Sequence, residues 1–372
     1  MKKAPFAPIP EHFTRMTDLD EAWRERSSGV RLERVRAGAR KLRERLLTTG
    51  PVQCVRTYFN ATIPYPTKYA FAGAARSPAP YVLMSNRCNL VQVRTGGRAY
   101  SILFNPTDHE LSAETPFFAR LRKKYGEWLA KTFIAKLGGQ PLDHVRAAGL
   151  RPEDIDYVAF DHLHTQDVRK LLGGGGQPAQ LPNAKLLVTP GELATFERLH
   201  PLQADWYIAA GVDGVPESKI VLLDGDYLVG PGAALVRTPG HTEGNVSLAV
   251  HTRSGIWAVS ENGVGCDAYA PMASKIPGVR KWARARGVEV VMNSNTLEHT
   301  QDQYISMLLE RELVDRAADA PDFYQHLSSS EHVGSPLAPG LEPTYHHGGL
   351  VHGVLETTQP RPAEPARPQA RA

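Results

Sequence analysis

Two histidines spaced two residues apart follow an apolar run at Phe160-Asp161-His162-Leu163-His164-Thr165-Gln166-Asp167. In extended backbone, residues i and i+2 share a face, so His162 and His164 can point at one ion. Neutral imidazole is a common zinc ligand. A third imidazole comes in Val236-Arg237-Thr238-Pro239-Gly240-His241-Thr242-Glu243-Gly244-Asn245. There a Pro-Gly turn presents His241 at the end of one strand, just before the next begins. Three protein ligands plus an open position for water form the pattern of a catalytic zinc site. Asp161 is expected to face away or to bond a turn, because neighbours in a strand point to opposite sides.

The elements that must carry these residues are legible from periodicity. Residues 31–48 read as a basic amphipathic helix with Leu32, Val35, Ala39, Leu42 and Leu46 on one face. Its bland reading is a helix packed on the core or on a partner subunit, with a nucleic-acid or membrane-surface role as the alternative. Residues 52–104 read as β-rich, with a hairpin turn at Gly96-Gly97. A helical pattern over 116–137 includes Phe117, Phe118, Leu121, Trp128 and Leu129. The second half alternates strands near 185–189, 219–223, 233–237, 245–251, 255–260 and 288–292 with helices near 190–209, 276–286 and 300–317. The organisation read from this is an N-terminal extension (1–50), a main domain (51–320), a C-terminal loop extension (321–354) and a disordered tail (355–372) rich in Pro, Ala and Arg.

Composition narrows the function classes. The chain is 42% apolar and 22% charged, with a net charge of +4, which suits a soluble globular protein and does not single out a nucleic-acid partner. No apolar run reaches the length of a membrane span. Met1-Lys2-Lys3 is followed by prolines rather than a signal-peptide core, so a cytoplasmic location is expected. Cys54, Cys88 and Cys266 are too sparse for a disulfide framework and have no CxxC spacing.

The two histidine segments, their order, and the approach from Gly149 through Val158 resemble the metallo-β-lactamase superfamily, on its lactonase and glyoxalase II side. The resemblance covers roughly residues 80–315 in element order. It implies an α/β fold, an αββα sandwich of two mixed β-sheets flanked by helices, with the metals at one edge. It implies zinc at His162, His164 and His241. It also implies a hydrolase that acts on a small-molecule ester, lactone, thioester or activated ether with hydroxide drawn from water near neutral pH.

The second half-site departs from the family. Its HxHxDH reads here as His162-Leu163-His164-Thr165-Gln166-Asp167, so Gln166 stands in the aspartate's place and Asp167 in the histidine's. Alternatively, a bulge lets Asp167 take the aspartate's role. Glu261, after the strand 255–260, maps to the bridging aspartate, and Asn295 falls where the last histidine belongs. Gln166, Asp167, Glu261 and Asn295 are oxygen donors. They suit a harder ion than zinc, such as manganese or iron, or leave the second site empty. Asp167 is the candidate base for the water, and Glu261 the candidate bridge or orienting group. Aromatics such as Tyr65 and Tyr81 belong to the core or to an apolar pocket. His346, His347 and His352 either replace lost ligands or lie in a surface loop, and His109, His144, His200, His251 and His326 are expected to be structural or exposed. Expected partners are a small-molecule substrate and further copies of this chain or a related subunit. The competing reading is a catalytically weakened relative acting as a partner subunit or binding module.

Overall fold

A computed structural model of the chain describes residues 5–133, 137–336 and 338–357. The tail from 358 onward, and the Trp128 and Leu129 side chains, lie outside the described residues. In chain order the strands are β1 (Thr14–Met16), β2 (Cys54–Pro66), β3 (Tyr81–Thr95), β4 (Arg98–Phe104), β5 (Tyr157–Ala159), β6 (Lys185–Val188), β7 (Ile220–Leu222), β8 (Asp226–Gly230), β9 (Ala233–Arg237), β10 (Val246–Thr252), β11 (Gly255–Ser260), β12 (His326–Ser328), β13 (Ser330–Val333) and β14 (Val351–Gly353). The helices that bear on the site are α1 (Ser28–Thr48), α2 (Pro116–Phe133), α3 (Pro190–Thr195), α4 (Val279–Arg286) and α5 (Thr300–Leu313).

Two mixed sheets form, one six-stranded (β1-β8-β9-β10-β11-β12) and one eight-stranded (β14-β2-β3-β4-β5-β6-β7, with β13 on β3). Three apolar layers order them. Val91, Val93 and Phe104 of one sheet meet Leu235, Leu248 and Val259 of the other in the middle. Val35, Leu42 and Leu46 of α1, with Met307 and Leu308 of α5, cover Ala234, Ala249 and Ala258 on the outer face of the six-stranded sheet. Val145, Leu171 and Leu172 cover Leu90, Leu103 and Leu186 on the outer face of the other. This is the αββα sandwich. The period-two alternation of the strands supplies the inner and outer apolar faces that make such layering possible.

The basic face of α1 is already matched within the chain. Arg31 pairs with Asp302, Arg36 with Glu289 and Glu312, Arg40 with Glu312, Arg43 with Asp315 and Arg45 with Asp18. The helix therefore docks on α5 through its apolar stripe and its charges together. Among the described residues, no helix is long and apolar enough to cross a membrane.

Several expectations change. The helix near 190–209 stops at Thr195, and the chain winds on as turns; Pro201 disfavours helix at His200 and so bars its resumption there. The strand near 288–292 does not form. Val291 and Asn293 bond instead to the carbonyls of Ala268, in the short helix Cys266–Tyr269, and of Asn262, rather than to a neighbouring strand. The C-terminal segment, read as a loop, contributes β12, β13 and β14.

One detail positions the site. The long β3 has two partners placed end to end along the same edge. β4 pairs with Asn89 to Thr95, and β13 pairs with Leu83 to Asn86. At the seam the Arg87 amide donates to the Ser329 carbonyl at 2.9 Å. Ser329 itself lies between β12, in the six-stranded sheet, and β13, in the eight-stranded one.

Candidate metal centre

The chain leaves β5 at Ala159 and turns sharply, with Thr165 at a φ of 62°. His162 and His164 thus lie on a loop beyond the strand rather than on the strand itself. His241 follows Gly240, whose φ is 132° and where an added Cβ would sit 2.0 Å from the backbone nitrogen of Gln303. Only glycine fits so close a passage of the turn against α5. The Thr296 hydroxyl donates to the His241 carbonyl at 2.7 Å, and that of Ser306 to the Pro239 carbonyl at 2.7 Å.

These turns bring the three imidazoles together. One ligand-capable nitrogen from each of His162, His164 and His241 lies within 4.8 Å of the others, and all three side chains are buried. Among the described residues no other such group of His, Cys, Asp or Glu gathers. Nδ1 of His162 bonds to Asp161 at 2.8 Å and Nε2 of His164 to Gln203 Oε1 at 2.5 Å. This leaves His162 Nε2 and His164 Nδ1 for an ion. Both ring nitrogens of His241 are buried without a partner. A buried donor or acceptor left unpaired is destabilising, so this arrangement fits a bound cation. Three neutral imidazoles suit zinc.

Asp161 is a correction. It lies past the strand end, so the alternation rule no longer governs it, and its carboxylate lines the cavity beside His162. Gln203, itself held by Nε2 donating to Glu298 at 2.6 Å, plays the same role for His164. Such outer partners fix the tautomer and raise ligand basicity. Glu192 of α3 was also missed. Its buried carboxylate accepts from the Leu163 amide (2.7 Å), the Tyr207 hydroxyl (2.7 Å) and the Thr242 hydroxyl (2.6 Å). It therefore ties together the two loops that carry the histidines. Neither residue had a local signal, since their partners are distant in sequence.

The remaining candidates divide. Glu261, Gln166 and Asn295 line the same cavity as His162 and His164. Asp167 does not. Its two oxygens are taken by Arg169, through Nε at 2.9 Å and Nη2 at 2.5 Å. Gln166 donates to the Thr107 hydroxyl at 3.1 Å, and Asn295 Oδ1 is without a partner. His347 bonds the Tyr324 carbonyl at 2.8 Å, His346 is exposed, and His352 pairs with Val55 on β14. None of these three joins the cluster. His109 lines the cavity, while His326 is buried and stacked on Tyr269.

The cavity measures about 350 Å³. Beyond the polar end its walls are Ile63, Met84 and Tyr65 of the sheet, Phe118, Leu121 and Tyr125 of α2, and Trp206.

Electrostatics separate the three rings. Burial pulls His162 down, but Asp161 against its ring, with Glu261 and Glu192 farther off, more than reverses this and holds it up to about 9. Burial and the neighbouring imidazoles push His164 and His241 well below the usual range. Burial lifts Glu261 to about 7, opposed by His162 and a hydrogen bond from Ser330 and reinforced by Asp161. The metal-free protein should therefore be most stable near neutral pH. His144 and His332, held to about 4 by burial, act with His164 and His241, and the stability they contribute is lost as pH falls below about 6.5. The contributions of Glu261 and His162 are lost as pH rises through about 7 and about 9. Thermal melts of metal-free protein from about pH 5 to 9 should show this maximum; a Tm climbing steadily to pH 9 would contradict the Asp161–His162 pairing.

No protein-family model matches the chain. Among curated proteins it is similar to an N-acyl homoserine lactonase of Bacillus sp, 30% identical over 108 residues, covering 29% of this chain and 38% of that protein. It is also similar to an N-acyl homoserine lactonase of Bacillus cereus, 28% identical over 113 residues, covering 30% of this chain and 40% of that protein. The chain thus spans about two fifths of the length of these relatives. A solved structure of a probable metal-dependent hydrolase from Staphylococcus aureus superimposes with a TM-score of 0.50 at 13% identity, covering 82% of this chain and 99% of that one.

Proposed function

We propose, for a chain that has the metallo-β-lactamase fold and local sequence similarity to lactonases, that it is a metal-dependent hydrolase of a lactone or ester with an apolar acyl portion. The observation that carries this reading is that two residues of the imidazole cluster, His162 and His164, line the apolar cavity. Zinc held by His162, His164 and His241 would lower the pKa of a water toward neutrality and polarise the substrate carbonyl. The rest falls to the chain. Ile63, Met84, Phe118, Leu121 and Trp206 seat the acyl chain and exclude water around the carbonyl. Glu261 takes the proton of the attacking water on its carboxylate and returns it to the leaving oxygen. Asp161 and Gln203 hold the His162 and His164 rings in one tautomer. Asp167 has no part in this, since Arg169 occupies both its oxygens.

A second ion would find Gln166 and Asn295 amides where imidazole or carboxylate is wanted, and of the acids lining the cavity Asp161 is already bonded to His162, Ser329 and Asn105, which leaves Glu261 and Glu110. We therefore assign one metal ion per chain. Elemental analysis of protein purified without added metal should return a ratio near one, and two zinc ions at full occupancy would overturn the assignment. Glu261→Gln should keep that metal content and lose on the order of a hundredfold or more in kcat, as expected for general acid–base groups. An unchanged kcat would remove Glu261 from the mechanism.

The substrate reading is tested by lactones and p-nitrophenyl esters of increasing acyl length. Burial of about 0.8 kcal/mol per methylene predicts a gain of roughly threefold to fourfold in kcat/KM per added carbon until the cavity is full. A flat or falling series from the acetyl ester onward would exclude an apolar acyl substrate. The alternative of a weakened partner subunit is disfavoured by the complete ligand set and open cavity.

A further inference from the structure

We propose that Ser329, supplied by the C-terminal segment, is a positioning residue of the metal centre, acting on His162 through Asp161. This rests on the reading above that His162 binds the metal. Asp161 is saturated with donors. Its Oδ1 accepts from the His162 amide at 2.9 Å and from His162 Nδ1 at 2.8 Å. Its Oδ2 accepts from the Ser329 hydroxyl and, at 3.1 Å, from Asn105 Nδ2. Asn105 Nδ2 also donates to Ser329 Oγ at 2.7 Å, and Asn105 Oδ1 accepts from the Asp161 amide at 3.0 Å. Serine, asparagine and aspartate thus form a closed ring of bonds, with the imidazole as its outlet.

The fold explains why these groups meet. Asn105 is the residue after β4, and Ser329 the residue before β13. Both stand at the seam where β4 and β13 abut along β3, under the loop that leaves β5. The neighbouring serines face the site's elements too. Ser328 donates to the Gly263 carbonyl at 2.7 Å, and Ser330 Oγ accepts from Asn86 at 3.1 Å while donating to Glu261. All three serines are 2% exposed or less. A buried hydroxyl is unfavourable unless bonded, and the hydroxyls of Ser329 and Ser330 go to the Asp161 and Glu261 carboxylates, while that of Ser328 goes to a backbone carbonyl.

The chemistry follows from the bond order. With Oδ2 pinned by Ser329 and Asn105, the carboxylate cannot swing. Oδ1 then keeps the proton on His162 Nδ1, and Nε2 remains a lone-pair donor. Without the Ser329 hydroxyl, Oδ2 retains one donor and the carboxylate is free to turn away from the imidazole.

The test is zinc affinity measured against a chromophoric chelator, on the full chain. Ser329→Ala and Ser329→Gly, both without the hydroxyl, should each lose roughly 10–100-fold in affinity. In an Asp161→Ala background, Ser329→Ala should change affinity less than about twofold, because the connection is already cut. Melting of the metal-free proteins confirms that each variant is folded, and the glycine variant carries the test should the alanine variant not fold. Wild-type affinity in a folded Ser329 variant, or an equal loss in both backgrounds, overturns the proposal while leaving the metal centre standing. A wild-type protein that binds no zinc overturns the metal reading and this inference with it.

Discussion

His241→Ala is expected to abolish stable metal binding and to lower hydrolysis by about a thousandfold or more, while leaving the fold intact. The activity term reflects the loss of a metal's contribution, about 4 kcal/mol or more of transition-state stabilisation. Two imidazoles would remain where an open zinc site has three protein ligands. The fold term follows from the unusual state of this ring. It is fully buried with both nitrogens unpartnered, so its removal takes away an unsatisfied polar group along with some packing. These two effects oppose each other. The turn itself is held by backbone contacts, from Thr296 to the His241 carbonyl and from Ser306 to Pro239, and these do not depend on the imidazole. Metal analysis, ester hydrolysis and thermal melts on parent and variant would be compared. Equal hydrolysis by both would remove the metal-hydrolase reading, and a collapsed variant would show that the ring carries the turn.

Glu192→Ala should do the reverse, and fail as a fold before it fails as an enzyme. The Leu163 amide, the Tyr207 hydroxyl and the Thr242 hydroxyl all end on this carboxylate. Removing it strands three buried donors at about 1–3 kcal/mol each, so a loss of roughly 3–9 kcal/mol is expected. That is a large share of a typical total of about 5–15 kcal/mol. The space around the clamp is tight, since a Cβ at Gly244 would lie 2.2 Å from the Glu192 nitrogen. Glu192→Gln keeps one carbonyl acceptor and should lose only about 1–2 kcal/mol. Urea unfolding of metal-free protein separates these cases. A loss below about 1 kcal/mol for the alanine variant would mean that the two loops hold their positions without the clamp.

What was legible in the sequence was what chemistry and local pattern announce together. His162, His164 and His241 each sit beside a recognisable strand end or Pro-Gly turn, and the structure gathers them. Glu261, Gln166 and Asn295 follow from laying the sequence on the second-site positions of the family it resembles, and they line the cavity. Asp167 follows from the same mapping, but Arg169, two residues on, claims its carboxylate, a competition that a motif does not reveal. The alternation rule turns Asp161 away from the site only if the strand runs through it, and β5 ends at Ala159. The alternating β and α pattern of the second half marks an α/β chain, and the sandwich itself is legible only through the resemblance carried by the two histidine segments. The C-terminal strands escaped because their cue is missing. Ser328 to Glu331 are polar residues buried against other polar residues, and hydrophobic periodicity cannot register such a strand. The failed helix after Thr195 shows the converse, a permissive pattern that the chain leaves for turns well before Pro201.

The end-to-end sharing of the β3 edge has a consequence for the order in which the molecule is made. Asn86 and Ser330 are 244 residues apart in the chain, yet they bond across one seam. During synthesis from the N-terminus, β3 emerges with half of its edge unpaired and stays so until residues 330–333 arrive. An exposed edge of that kind invites pairing with another nascent chain. All three histidines and Glu261 emerge before the segment that braces them, so assembly of the centre is a late event governed by a very long loop closure. A ribosome stalled before residue 326 would hold a chain that possesses every ligand and none of the brace.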